Sequence, residues 1–172
     1  MKSLTLIVLA ASLLCACASY QGRTLQPGMT TLADVERVMG PPALRWPGAD
    51  GSLKLAYPRG PQGYHTWMVQ LAPDGKLRDI RNVLEPKSFG AIRPGMTQGE
   101  VLFAIGPSPA HWTQRFPARH ELVWEWRWCN NIGEPSRFDV IFDEPSGRVR
   151  STLTQTEDMI GLNGMSRGHC SR

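Results

Sequence analysis

The chain has 172 residues, of which 41% are hydrophobic and 20% charged, and a formal net charge of +4 at pH 7. That length holds one ordinary domain or two small ones. Its 19 basic residues are interspersed with 15 acids and form no stripe that would track a phosphate backbone, which argues against nucleic acid as a partner.

Met1-Lys2 is a short positive start, and the run from Leu4 to Leu14 is almost uninterrupted in its apolar character. It has the length of a signal-peptide core and falls short of the roughly 20 apolar residues a spanning helix needs. Leu14-Cys15-Ala16-Cys17 follows and resembles the lipobox of bacterial lipoprotein precursors: an aliphatic residue, a small residue before the cut, and a thiol to accept diacylglycerol. The resemblance implies a signal peptide over residues 1–16, lipidation at Cys17 and a lipidated tether over 17–24. Ala18, where inner-membrane proteins carry Asp, implies a periplasm-facing anchor in the outer membrane. The alternative is an ordinary secretory signal cut after Ala16 or Ala18. The tether keeps the next segment within about 25 Å of the membrane surface even when extended. Anionic phospholipid would add about 1 kcal/mol of attraction per well-placed cation.

An internal repeat then organises the chain. Leu25-Gln26-Pro27-Gly28-Met29-Thr30 returns as Ile92-Arg93-Pro94-Gly95-Met96-Thr97. A short amphipathic stretch follows each copy, ending at Gly40-Pro41 and at Gly106-Pro107; the first copy carries one extra residue. Thr30 and Thr97 stand where an N-cap belongs, with Asp34 and Glu100 in the next turn. Gly40 and Gly106 suit the residue just past a helix end, and the prolines stop continuation. Helices of two turns are unstable alone and must lie on something.

In the first half, alternation predicts strands over Ser52–Tyr57, His65–Leu71 and Leu77–Val83; in the second, over Glu121–Trp128, Arg137–Asp143 and Arg148–Thr154. The expected fold class is therefore α+β: two tandem repeats, each a short helical segment on a three-stranded antiparallel sheet. The repeats are placed at 25–85 and 86–157, with a tail at 158–172 and a linker-like Pro86-Lys87-Ser88 between them. Neither repeat has a generous core by itself, so docking of the halves is expected.

Of the four cysteines, Cys15 leaves with the signal and Cys17 is consumed by lipid. Cys129 and Cys170 remain as a pair in an oxidising compartment, and a disulfide is the expectation. A metal site with His169 is the alternative, and it lacks further ligands at workable spacing. The four histidines fit no metal or nucleophile motif, G-x-S-x-G is missing, and no cofactor is indicated. On the strand from Glu121, alternation puts Leu122, Trp124, Trp126 and Trp128 on one face, and Val123, Glu125 and Arg127 on the other. Three indoles make a core face or a surface for a partner.

The duplicated P-G-M-T step, its acid-Val pair and the Gly-Pro stop resemble the BamE (SmpA/OmlA) lipoprotein family. The second half carries the motif at Gly95, Met96, Thr97, Glu100, Val101, Ile105, Gly106 and Pro107, with Trp124 and Trp126 on the next strand; the first carries it at Gly28, Met29, Thr30, Val35, Gly40, Pro42 and Tyr57. The resemblance implies helices packed on a three-stranded sheet, a topology also used in tandem by β-lactamase-inhibitor proteins. It also implies a non-enzymatic accessory role in outer-membrane β-barrel assembly, with envelope proteins and the barrel-assembly complex as partners. Family members of the ordinary kind hold one such unit, and this chain holds two. A periplasmic inhibitor or ligand-binding module on the same scaffold is the alternative, and a structural envelope lipoprotein a third. The motif residues and Trp124, Trp126 and Trp128 are the candidate binding residues.

Overall fold

A computed structural model describes residues 24–161 and Cys170. The expected signal peptide over 1–16, the expected lipidation site Cys17 and most of the expected tail lie outside these residues. Among the described residues no helix is long and apolar enough to cross a membrane.

Helix α1 (Leu32–Met39) opens the first repeat. Its N-cap is Thr31, one residue after the expected Thr30: the Thr31 hydroxyl accepts from the Asp34 N–H, and the Asp34 carboxylate accepts from the Thr31 N–H at 3.0 Å. The extra residue of the first copy thus lies before the cap. Thr30 is buried instead, its hydroxyl accepting from the Gln26 N–H at 2.8 Å. In the second repeat, helix α3 (Gln98–Ile105) is capped by Thr97 and Glu100 as expected. Both lead-in segments also add to the last strand of their own repeat. Gly28 N–H donates to Leu77 and Gly95 N–H to Val149, each at 2.8 Å.

The structure is α+β, but each helix faces a four-stranded sheet rather than a three-stranded one. The first sheet runs β1 (Leu44–Pro47), β2 (Leu53–Pro58), β3 (Thr66–Leu71), β4 (Leu77–Asn82), all neighbours antiparallel. The second runs β5 (Gln114–Phe116), β6 (Glu121–Cys129), β7 (Pro135–Asp143), β8 (Arg148–Thr156), again antiparallel. The additional strands, β1 and β5, are short edge strands in loops rich in proline; at four and three residues they carry no readable alternation.

The two sheets are separate and the repeats stack in layers. Leu55, Tyr57, Val69, Leu71 and Leu77 of the first sheet pack on Val35 and Met39 of α1. Ala56 and Met68, on the opposite face, share one buried cluster with Val101 and Ile105 of α3 and with Trp126, Phe138 and Phe142 of the second sheet. Helix α3 therefore lies between the sheets. Gly106, which closes α3 at φ +75°, fixes that contact: a Cβ there would stand 2.7 Å from Cγ2 of Thr66 on β3. Glycine is needed at this position for its backbone and for the close approach. The linker-like Pro86-Lys87-Ser88 forms a helical turn, α2 (Pro86–Phe89), whose Phe89 stacks on Phe138 at 3.9 Å and meets Trp128 edge-on at 5.0 Å. What looks like a connection is a plug in the shared core.

Candidate functional site

The stacking creates an open apolar groove at the junction of the repeats. Trp46 comes from edge strand β1, Met96 and Thr97 from the second lead-in motif, and Gly99, Glu100, Phe103 and Ala104 from α3; together they line about 610 Å³. Phe103 is 48% exposed. Its ring is held edge-to-face by Trp46, with centroids 5.5 Å apart, and on it sits the Lys54 ammonium, 3.7 Å from the centroid. The same ammonium donates to the Phe103 carbonyl. Burial pushes the Lys54 pKa down to about 8, with the Arg81 guanidinium adding to the effect. The groove thus presents an aromatic pair, open to solvent, with a cation over one of its rings.

The candidate binding residues are distributed around this groove unevenly. Met96 and Thr97 line it. Gly95 adopts φ +90° just ahead of them, and Gly28 φ +79° in the first copy. Met29 is 72% exposed in its own repeat and does not line the groove, and Thr30 is buried. Trp126 and Trp128 are core residues, 2% and 5% exposed, and Trp124 packs half-buried against Phe142 with centroids 4.7 Å apart. The aromatic face of β6 thus serves the core. Trp46 and Phe103, which form the groove, sit on a short edge strand and on the solvent side of a helix whose helical spacing points Val101 and Ile105 inward. The only sequence signal for them is an aromatic placed off the buried stripe.

A second polar constellation occupies the other face of β6. Glu157, 1% exposed, accepts from Arg127 Nε and Nη2 at 2.6 and 2.8 Å and from Arg137 Nε at 2.7 Å. Arg137 Nη1 then donates to Glu125 at 2.6 Å, and the Trp112 ring lies 4.0 Å from the Arg137 guanidinium. Asp139 stands beside Glu125; burial and then the Glu125 charge push its pKa up to about 7. The face of β6 that carries Glu125 and Arg127 is therefore a largely buried network in which two guanidiniums neutralise Glu125 and Glu157. Its arginines are committed to carboxylates. Residues of both repeats cover this face: Arg127 lies over the Tyr64 ring at 4.5 Å and donates to the Gln62 carbonyl, and Arg137 lies under Trp112.

Cys129 and Cys170 form a disulfide, and the Cys170 N–H donates to the Gly133 carbonyl at 3.0 Å. Among the described residues no group of three His, Cys, Asp or Glu side chains could hold a metal. Comparison with family models, with characterised proteins and with solved structures yields no match.

Proposed function

We propose that this chain is a non-enzymatic lipoprotein of the outer membrane, facing the periplasm, that binds another envelope protein as an accessory factor of β-barrel assembly. In this reading the two repeats are tandem BamE-like units, arranged as in β-lactamase-inhibitor proteins. The lipobox ending at Cys17 and the twice-used Pro-Gly-Met-Thr step support it. The observation that carries it is the inter-repeat groove, where Met96 and Thr97 of the second motif meet Trp46 of the first repeat beside the exposed Phe103. An exposed phenylalanine flanked by half-buried tryptophan and methionine side chains has the composition of a protein-binding surface. Affinity purification of the tagged chain from solubilised outer membranes is the test: recovery of a barrel-assembly component is expected, and its absence counts against the specific role.

A further inference from the structure

Along part of its outer edge, β8 of the second sheet carries backbone groups that no described segment pairs. The Glu157 N–H donates to the Pro135 carbonyl at 2.9 Å, and β8 pairs with β7 through Thr156↔Ser136, Thr154↔Phe138 and Thr152↔Val140. Because hydrogen-bonded and non-hydrogen-bonded pairs alternate in an antiparallel ladder, Gln155 and Leu153 bond to β7, while Thr152, Thr154 and Thr156 direct their N–H and C=O groups outward. Val149 shows the same edge already in use: it accepts from Gly95 N–H and donates to the Met96 carbonyl. Beyond Val149 no described backbone segment pairs with this edge.

The other edges are blunted, whereas β8 carries its charges, Arg148 and Arg150, only in its first three residues. Strands β1 and β5 are short, β1 ending in Pro47, and β4 carries Arg78, Asp79 and Arg81. Residues Ser151 to Thr156 contain no charge, proline or glycine, and Ser151 to Thr154 are exposed. Alongside them, on the face that carries Thr154 and Thr156, lies an open cleft of about 300 Å³ lined by Trp128, Ile132, Ser136 and Met159 and by no charged residue. Ile132 and Met159 are 69% and 75% exposed.

The geometry points to capture of an extended segment of a partner protein along Thr152–Thr156, a segment that is uncharged and carries large apolar side chains at alternate positions. The backbone groups would supply the affinity and the cleft the side-chain preference. A second copy is the poorer occupant. Pairing β8 on β8 would set Thr152, Thr154 and Thr156 over the cleft, and their side chains are too small to fill it. This inference stands apart from the groove at Trp46 and Phe103 and does not depend on any role in barrel assembly.

The test titrates the full-length chain, in a non-ionic detergent, into a fluorescein-labelled peptide of alternating leucine and threonine with a lysine at each end. A peptide of the same composition in block order is the control. The alternating peptide is expected to bind, the block peptide to bind about tenfold more weakly, and the variants Thr154→Pro and Met159→Asp to lose about tenfold in affinity. Thr154→Pro removes an outward N–H and no ladder bond; Met159→Asp alters an exposed side chain and leaves the fold alone. Equal binding of both peptides, no binding, unchanged affinity in Met159→Asp, or a peptide-free dimer abolished by Thr154→Pro would each overturn the assignment.

Discussion

Trp46 of the first repeat and Phe103 of the second meet edge-to-face, 5.5 Å between centroids, across the junction of the two units. Neither repeat has this contact alone, because α3 brings Phe103 to the face of the first sheet that α1 does not cover. Phe103→Ala removes a ring that is half in solvent. The expected cost in stability is about 1 kcal/mol, whereas a partner seated in the groove should lose about 2 kcal/mol or more of binding. Thermal unfolding and quantitative pulldown of the same variant separate the two effects.

The capping threonines give a prediction with an internal control. Thr31→Ala and Thr97→Ala should each cost about 1 kcal/mol in urea unfolding, since each leaves an N-terminal helix N–H without its acceptor. Asp34 and Glu100, which the Thr31 and Thr97 groups hold below the usual carboxylate range, should titrate closer to ordinary values in the respective variants. Thr30→Ala should leave both carboxylates unchanged.

Asp139 makes stability depend on pH in a stated direction. Its folded pKa of about 7 lies above its value in the unfolded chain, so the folded state holds the extra proton. The stabilisation is complete below about pH 4 and is lost as pH rises through about 7. Asp139→Asn carries no such proton and keeps an N–H for Glu125. The variant should flatten the slope between pH 4 and 8 and gain about 1–2 kcal/mol over the parent at pH 8, after allowance for solvent screening. Urea midpoints at pH 5 and pH 8 decide it.

Glu157 holds two arginines and is itself 1% exposed. Glu157→Ala leaves the Arg127 and Arg137 guanidiniums facing each other without their shared carboxylate, and should cost about 3–5 kcal/mol. Glu157→Gln keeps the shape and one acceptor, and should fall between the variant and the parent. A loss below about 1 kcal/mol for Glu157→Ala would mean that the network is solvated.

Much of this fold was legible because its signals are local. The six longer strands follow from period-two alternation, and the helix ends from Thr97-Glu100, Gly40 and Gly106. The disulfide was the expected pairing of Cys129 and Cys170, the two cysteines beyond residue 17. What was not legible depends on pairing across space. Strands β1 and β5 exist because β2 and β6 offer them an edge, not because four or three residues specify a strand. Thr30 and Thr31 are adjacent and chemically alike, and only the bond to Asp34 chooses between them. Phe89 looks like part of a linker until the sheets close around it. The groove was hidden for the same reason: Trp46 and Phe103 are far apart in sequence, and the stacking of α3 on the first sheet joins them. The charged face of β6 could be seen, but not that Arg137 and Glu157 would bury it.

Site-specific photocrosslinking in cells shows whether a partner protein sits in the inter-repeat groove. A photoreactive residue at position 103 should yield a crosslinked envelope protein, a component of the barrel-assembly complex among the products, and Trp46→Ala in the same chain should abolish it. The same probe at position 74, in the turn between β3 and β4, should yield none. Crosslinks that arise equally from 74, or that survive Trp46→Ala unchanged, would contradict the account.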